Sequence, residues 1–93
     1  MKRTVLLILA MAFALAAQPS ADQRLSDLLA REWERGLKES PESASYLGDK
    51  RYNRQWDDVS LDAVARQHQH RIETLRELNQ IPRDQLSAAQ RLN

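Results

Sequence analysis

The sequence predicts an all-α protein, on two kinds of evidence. Apolar residues recur at helical spacing through two long stretches, and Ser, Pro and Gly punctuate the ends of those stretches where helices start and stop. Four helices are expected, over residues 20–39, 41–47, 60–81 and 87–93. The first opens at Ser20-Ala21-Asp22-Gln23, a Ser cap with a Gln three residues on that can close a capping box. At roughly 100° per residue, Leu25, Leu28, Leu29, Trp33, Gly36 and Leu37 fall on one half of its circumference, which should be buried. The second follows Ser40-Pro41, a cap with proline in the first turn, and is stopped by Gly48. Residues 49–58 carry neither helical nor strand periodicity and read as a loop. Ser60 caps the longest helix, whose apolar arc is Leu61, Val64, Ala65, His68, Ile72, Leu75 and Leu78. Ile81-Pro82 ends it, and Ser87 opens the last helix, residues 87–93.

Ahead of these elements, Lys2 and Arg3 precede an unbroken apolar run, residues 5–17, that closes on Ala14-Leu15-Ala16. A basic start, about a dozen apolar residues and small residues at −3 and −1 form the pattern of a cleavable secretory signal peptide. It occupies residues 1–17, with cleavage before Ala17 or Gln18. A membrane anchor needs roughly 20 apolar residues, and Gln18-Pro19 interrupts this run first. The chain has no Cys to carry a lipid, so the product is expected in the periplasm or outside the cell, soluble and free of the membrane.

Removing Lys2 and Arg3 from 14 basic residues leaves 12 against 13 acidic ones, a net charge near −1. Charges of both signs alternate without long runs, which excludes a nucleic-acid footprint or a polybasic membrane patch. Taking 17 residues from 93 leaves 76, with neither disulfides nor a visible metal site. Exported domains of that size usually need such a staple. The mature part, residues 18–93, is therefore expected to be the truncated helical opening of something larger, and the final helix stops after about one turn, too short to be stable alone.

No residues are assigned as catalytic, cofactor-binding or metal-binding. His68 and His70 stand two apart, so on a helix their rings point roughly 200° from each other and cannot share one ion. Zinc-binding helical histidines need the i, i+4 spacing of His-Glu-x-x-His, which is absent. His70 reads as a solvated surface residue, and His68 as a core or interface histidine hydrogen-bonded to a neighbour. Glu32 sits in the apolar arc of the first helix and should pair with Arg51, Arg54 or an arginine of the third helix. Within Arg51-Tyr52-Asn53-Arg54-Gln55-Trp56, basic and aromatic residues interleave; such a mixture can stack bases, but balanced charge favours Tyr52 and Trp56 as anchors of the loop on the helices. Two glycines in the whole chain exclude a phosphate-cradling loop.

One pattern has a wider likeness. The stretch Pro41-Glu42-Ser43-Ala44-Ser45-Tyr46-Leu47-Gly48-Asp49-Lys50-Arg51-Tyr52-Asn53 lies between the Trp33 helix and a long Arg-rich helix, and Leu86-Ser87-Ala88-Ala89-Gln90-Arg91-Leu92-Asn93 closes the chain. It resembles the N-terminal end of the exported bacterial proteins grouped as domain-of-unknown-function family 885. The resemblance implies a long helical parent, similar to zinc-dependent carboxypeptidases, with a His-Glu-x-x-x-x-His metal motif far downstream. It implies zinc and a peptide substrate for that parent only, and a fragment here that is inactive and packs on the remainder of its own chain. The alternative is a complete small periplasmic helical protein that binds a partner through the apolar faces of its first and third helices.

Overall fold

The computed structural model describes residues 18–93, and the expected leader over residues 1–17 lies outside them. The fold is all-α, as the periodicity predicts. Three α-helices are described: α1 (Ala21–Glu39), α2 (Pro41–Tyr46) and α3 (Leu61–Asn79). Single 3₁₀ turns occupy Lys50–Tyr52, Arg83–Gln85 and Gln90–Leu92.

Each helix start has an identifiable cause. The Ser20 hydroxyl accepts from the Gln23 N–H at 3.1 Å, which satisfies one orphan donor of α1. The reciprocal half of the expected capping box is not made, because the Gln23 amide turns forward and donates to Asp27 Oδ1 at 2.8 Å. The Ser60 hydroxyl caps α3 in the same way, accepting from Ala63 N–H at 3.1 Å. Ser40 joins α1 to α2 and sits at the α2 cap position, but its side chain makes no capping bond. The loop supplies that cap instead. Asp57 Oδ1 accepts from the Glu42 N–H at 3.1 Å, and Glu42 Oε2 accepts from the Asp57 N–H at 3.3 Å. Gly48 ends α2 at φ 91, a left-handed conformation that costs glycine little and other residues much.

The expected last helix, residues 87–93, is corrected to one 3₁₀ turn. Ser87 does cap it, accepting from Gln90 N–H at 3.3 Å, but only Gln90–Leu92 coil. With so few residues the cost of nucleating an α-helix is not recovered. The third helix likewise stops at Asn79 rather than 81, before the Ile81-Pro82 break.

α1 and α3 lie antiparallel, and what joins them is mostly polar. Arg24 donates to the Gln80 carbonyl at 3.2 Å, Arg31 pairs with Glu77, Arg35 donates to Thr74 Oγ1 at 3.4 Å, and the Glu39 carboxylate takes His70 Nδ1 at 2.6 Å. Partners climb α1 while descending α3, which defines a continuous seam. One apolar cluster closes its lower end: Ala21, Leu25, Leu28 and Ile81, with Leu86 packed against it. Leu28 is the anchor, 2% exposed. Beyond it, the Ser87 N–H donates to Asp22 Oδ1 at 2.8 Å and ties the C-terminal turn to the first turn of α1.

Candidate interaction surface

The seam decides which side of each helix faces outward. Arg24, Leu28, Arg31 and Arg35 share the side of α1 turned to α3; at roughly 100° per residue, Gly36 and Leu29 lie about 110–130° further round, and Trp33 about 170°, pointing away from α3. On α3 the inward stripe is Ala63, Gln67, His70, Thr74 and Glu77, and Val64, His68, Leu75 and Leu78 also lie about 120° further round. Because the helices are antiparallel, the same sense of rotation leads to the same side of the pair. Leu29 of α1 and Leu75 and Leu78 of α3 therefore share one side of the pair. Leu29 and Leu78 indeed line one groove, of about 720 Å³, together with Leu25, Ile81, Leu86 and Leu92.

This corrects the expected core. Leu25, Leu28 and Leu37 are buried, but Leu29 is exposed and Trp33 is 60% exposed, and Gly36 is open. The whole predicted arc of α3 faces outward: Leu61, Val64, Ala65, His68, Ile72, Leu75 and Leu78 are all exposed. Among the described residues nothing lies on these stripes, so helical periodicity located the apolar face and misjudged what it meets.

The histidines exchange roles. His70, expected in solvent, is the half-buried member of the seam, while His68 points out with the apolar face. Their opposed directions follow from the spacing of two. Glu32 is also corrected: its neighbour is Arg35, one turn along the same helix, at 2.7 Å. That guanidinium lies off the hydrogen-bonding direction, so the attraction is Coulombic and Oε1, though buried, has no hydrogen-bond donor. Glu32 borders a second hollow with Trp33, Gly36, Leu37 and Leu47.

Arg51, one of the arginines offered to Glu32, is taken by other carboxylates instead. It pairs with Glu34 at 2.8 Å and Asp49 at 2.7 Å, and its guanidinium lies 5.4 Å from the centre of the Tyr52 ring. The Arg51 side-chain hydrogen bonds hold the Asp49 carboxyl below its usual range, and Asp49 and Glu34 together hold Arg51 more firmly protonated. Asp58 is likewise lowered, first by the backbone and side-chain hydrogen bonds of Ser60 and then by Arg66 nearby. Tyr52 is half-buried and serves as a loop anchor, but Trp56 is 83% exposed and does not.

Among the described residues, no group of three or more His, Cys, Asp or Glu could hold a metal ion. The zinc implied by the family resemblance thus finds no donor set among them. No described helix is long and apolar enough to cross a membrane. No protein-family model matches the chain, and no curated protein or solved structure matches it.

Apolar spacing does not mark the seam residues, which are mostly polar. A signal was present nonetheless. Ala63, Gln67, His70, Thr74, Glu77 and Ile81 repeat at 4-3-4-3-4, and Arg31 and Arg35 on α1 offer the complementary charge.

Proposed function

We propose that this chain is the opening helical segment of an exported protein like those of family 885, and that the apolar face of α1 and α3 packs on the body of that longer protein. In this reading the parent is a zinc-dependent peptidase, exported by the leader over residues 1–17, and the present residues are a structural part without catalytic groups. The supporting observation is the face itself. Leu29, Leu75 and Leu78 stand exposed on one side of a pair whose own seam is polar, and Trp33 stands exposed on the outer side of α1. Contiguous apolar surface of this kind marks a place where another surface sits.

Gly36 adds weight. A Cβ there would meet nothing within 4 Å, so no described neighbour requires a glycine. Glycine inside a helix nevertheless costs about 0.5–1 kcal/mol relative to alanine. A body pressed close to α1 would supply the missing reason.

The direct experiment reads the encoding DNA beyond Asn93. Continued helical coding that reaches a His-Glu-x-x-x-x-His motif supports the reading; a stop followed by unrelated sequence sinks it. At the protein level, Trp33→Ala and Gly36→Ala separate the two contexts. In this chain alone Trp33→Ala should change stability by under about 0.5 kcal/mol, as exposed sites do. In the longer parent it should cost about 3–5 kcal/mol. Gly36→Ala should stabilise the chain alone by about 0.5–1 kcal/mol and destabilise the parent through a clash. Equal effects in both contexts would remove the docking.

A second reading is favoured by the seam, which closes α1 on α3 without outside help: a complete small periplasmic protein that offers the same face to a separate partner. A sharp, cooperative thermal transition of the monomeric chain followed by circular dichroism would favour it.

A further inference from the structure

Away from the apolar face, α2 and the following loop enclose a hollow of different character, about 340 Å³, lined by Glu42, Ser45, Asn53, Arg54, Gln55 and Trp56. We propose that it binds a neutral saccharide chain, with the Trp56 indole as the platform on which a sugar ring stacks. The inference is independent of the parent reading, since it uses none of the residues of the α1–α3 face.

The hollow is held open by bonds on both of its sides. The Ser45 hydroxyl donates to Asn53 Oδ1 at 2.6 Å, the Gln55 N–H donates to the Tyr52 carbonyl at 2.9 Å, and the reciprocal Glu42–Asp57 pair fixes the loop against the start of α2. Those bonds leave a set of groups uncommitted among the described residues: the Asn53 amide N–H₂, the Arg54 guanidinium, the Gln55 side-chain amide and Glu42 Oε1. Three donor groups and two acceptors, the Gln55 and Glu42 oxygens, thus line the same hollow as an indole that is itself largely exposed. A sugar ring asks for that combination, because its hydroxyls both donate and accept while its C–H face is apolar and lies flat on an aromatic ring. The volume falls at the lower end for small-molecule sites, enough for a ring or two.

Electrostatics and shape argue against the other candidates. A nucleic-acid strand can stack on an aromatic platform, but it needs a positive groove for its phosphates. Here the one cation, Arg54, shares the lining with the Glu42 carboxylate, and the Asp57 carboxylate lies against the Glu42 N–H, so no positive groove forms. An extended peptide would seek a lane of backbone donors and acceptors, and this hollow offers side chains.

The test uses the purified chain carrying Trp33→Phe, which leaves Trp56 as the sole indole, and follows its fluorescence during titration with chitotetraose or with an oligothymidylate. A saturable change with chitotetraose and none with the oligothymidylate is expected. Saturation-transfer NMR on the sugar protons should then show binding weakened about tenfold or more by Trp56→Ala, the scale of a lost stacking contact. An unchanged circular dichroism spectrum would show that this exposed substitution spares the fold. No response to chitotetraose overturns the proposal, as does retention of sugar binding by Trp56→Ala. Saturable binding of the oligothymidylate alone overturns it in favour of base stacking.

Discussion

The two sides of α3 differ in a way that inverts the usual arrangement of a helical pair. Its inward side carries Gln67, His70, Thr74 and Glu77 and meets α1 through hydrogen bonds and ion pairs; its outward side carries Val64, Leu75 and Leu78 and meets nothing described. Half-exposed ion pairs are each worth little, about 0–1 kcal/mol, whereas apolar burial gives about 25 cal/mol per Å². The seam therefore orients the pair without holding it strongly, and strength within the described residues rests on the cluster around Leu28 together with the buried Leu37, Ala44 and Ala63. What the difference teaches is that a seam can set the geometry of a surface whose main contact lies elsewhere.

The largest break in this comparison comes from the cluster. Leu28→Ala should destabilise the chain by about 2–5 kcal/mol, read from urea unfolding followed by circular dichroism. A loss below about 1 kcal/mol would show that the seam, not the cluster, dominates. Next in size, Ser60→Ala removes the α3 cap and should cost about 1 kcal/mol in the same assay. An unchanged midpoint would mean that water replaces the hydroxyl fully.

The seam itself sharpens the contrast. Arg31→Glu places like charges opposite Glu77 and should cost about 0.2–1 kcal/mol, with Glu77→Arg in the same chain restoring the pair. Additive losses without rescue would remove Arg31–Glu77 from the seam. The smallest effect concerns acid. Asp58 is lowered from its ordinary 3.8 chiefly by hydrogen bonds from Ser60. A depressed carboxylate adds stability that is complete above its unfolded value and lost as pH falls through the folded one. Helicity should therefore drop slightly more below about pH 4 than in Asp58→Asn, which has no carboxylate to protonate. Parallel acid limbs in the two proteins would contradict that assignment.

Much of the local structure was legible beforehand. Ser20 and Ser60 cap helices because their hydroxyls need only the chain's next three residues, and Gly48 stops α2 for an equally local reason. The capping of α2 was not legible, since its acceptor, Asp57, arrives from fifteen residues away. The histidines show the same limit. Spacing established that His68 and His70 point apart, but choosing which one faces α1 required the seam. Glu32 found Arg35 rather than a distant arginine because a neighbour one turn along needs no folding of the chain to reach it.

The sequence by itself thus determined the all-α class, the helix starts and the existence of apolar stripes on α1 and α3, because each depends on contacts within a few residues. Only the tertiary structure decided that Leu29 of α1 and Leu75 and Leu78 of α3 share one outward side, because the relative rotation of two helices is set by residues far apart in the chain. That rotation follows the complementary partners Arg31 with Glu77 and Glu39 with His70, which periodicity in apolar residues cannot reveal.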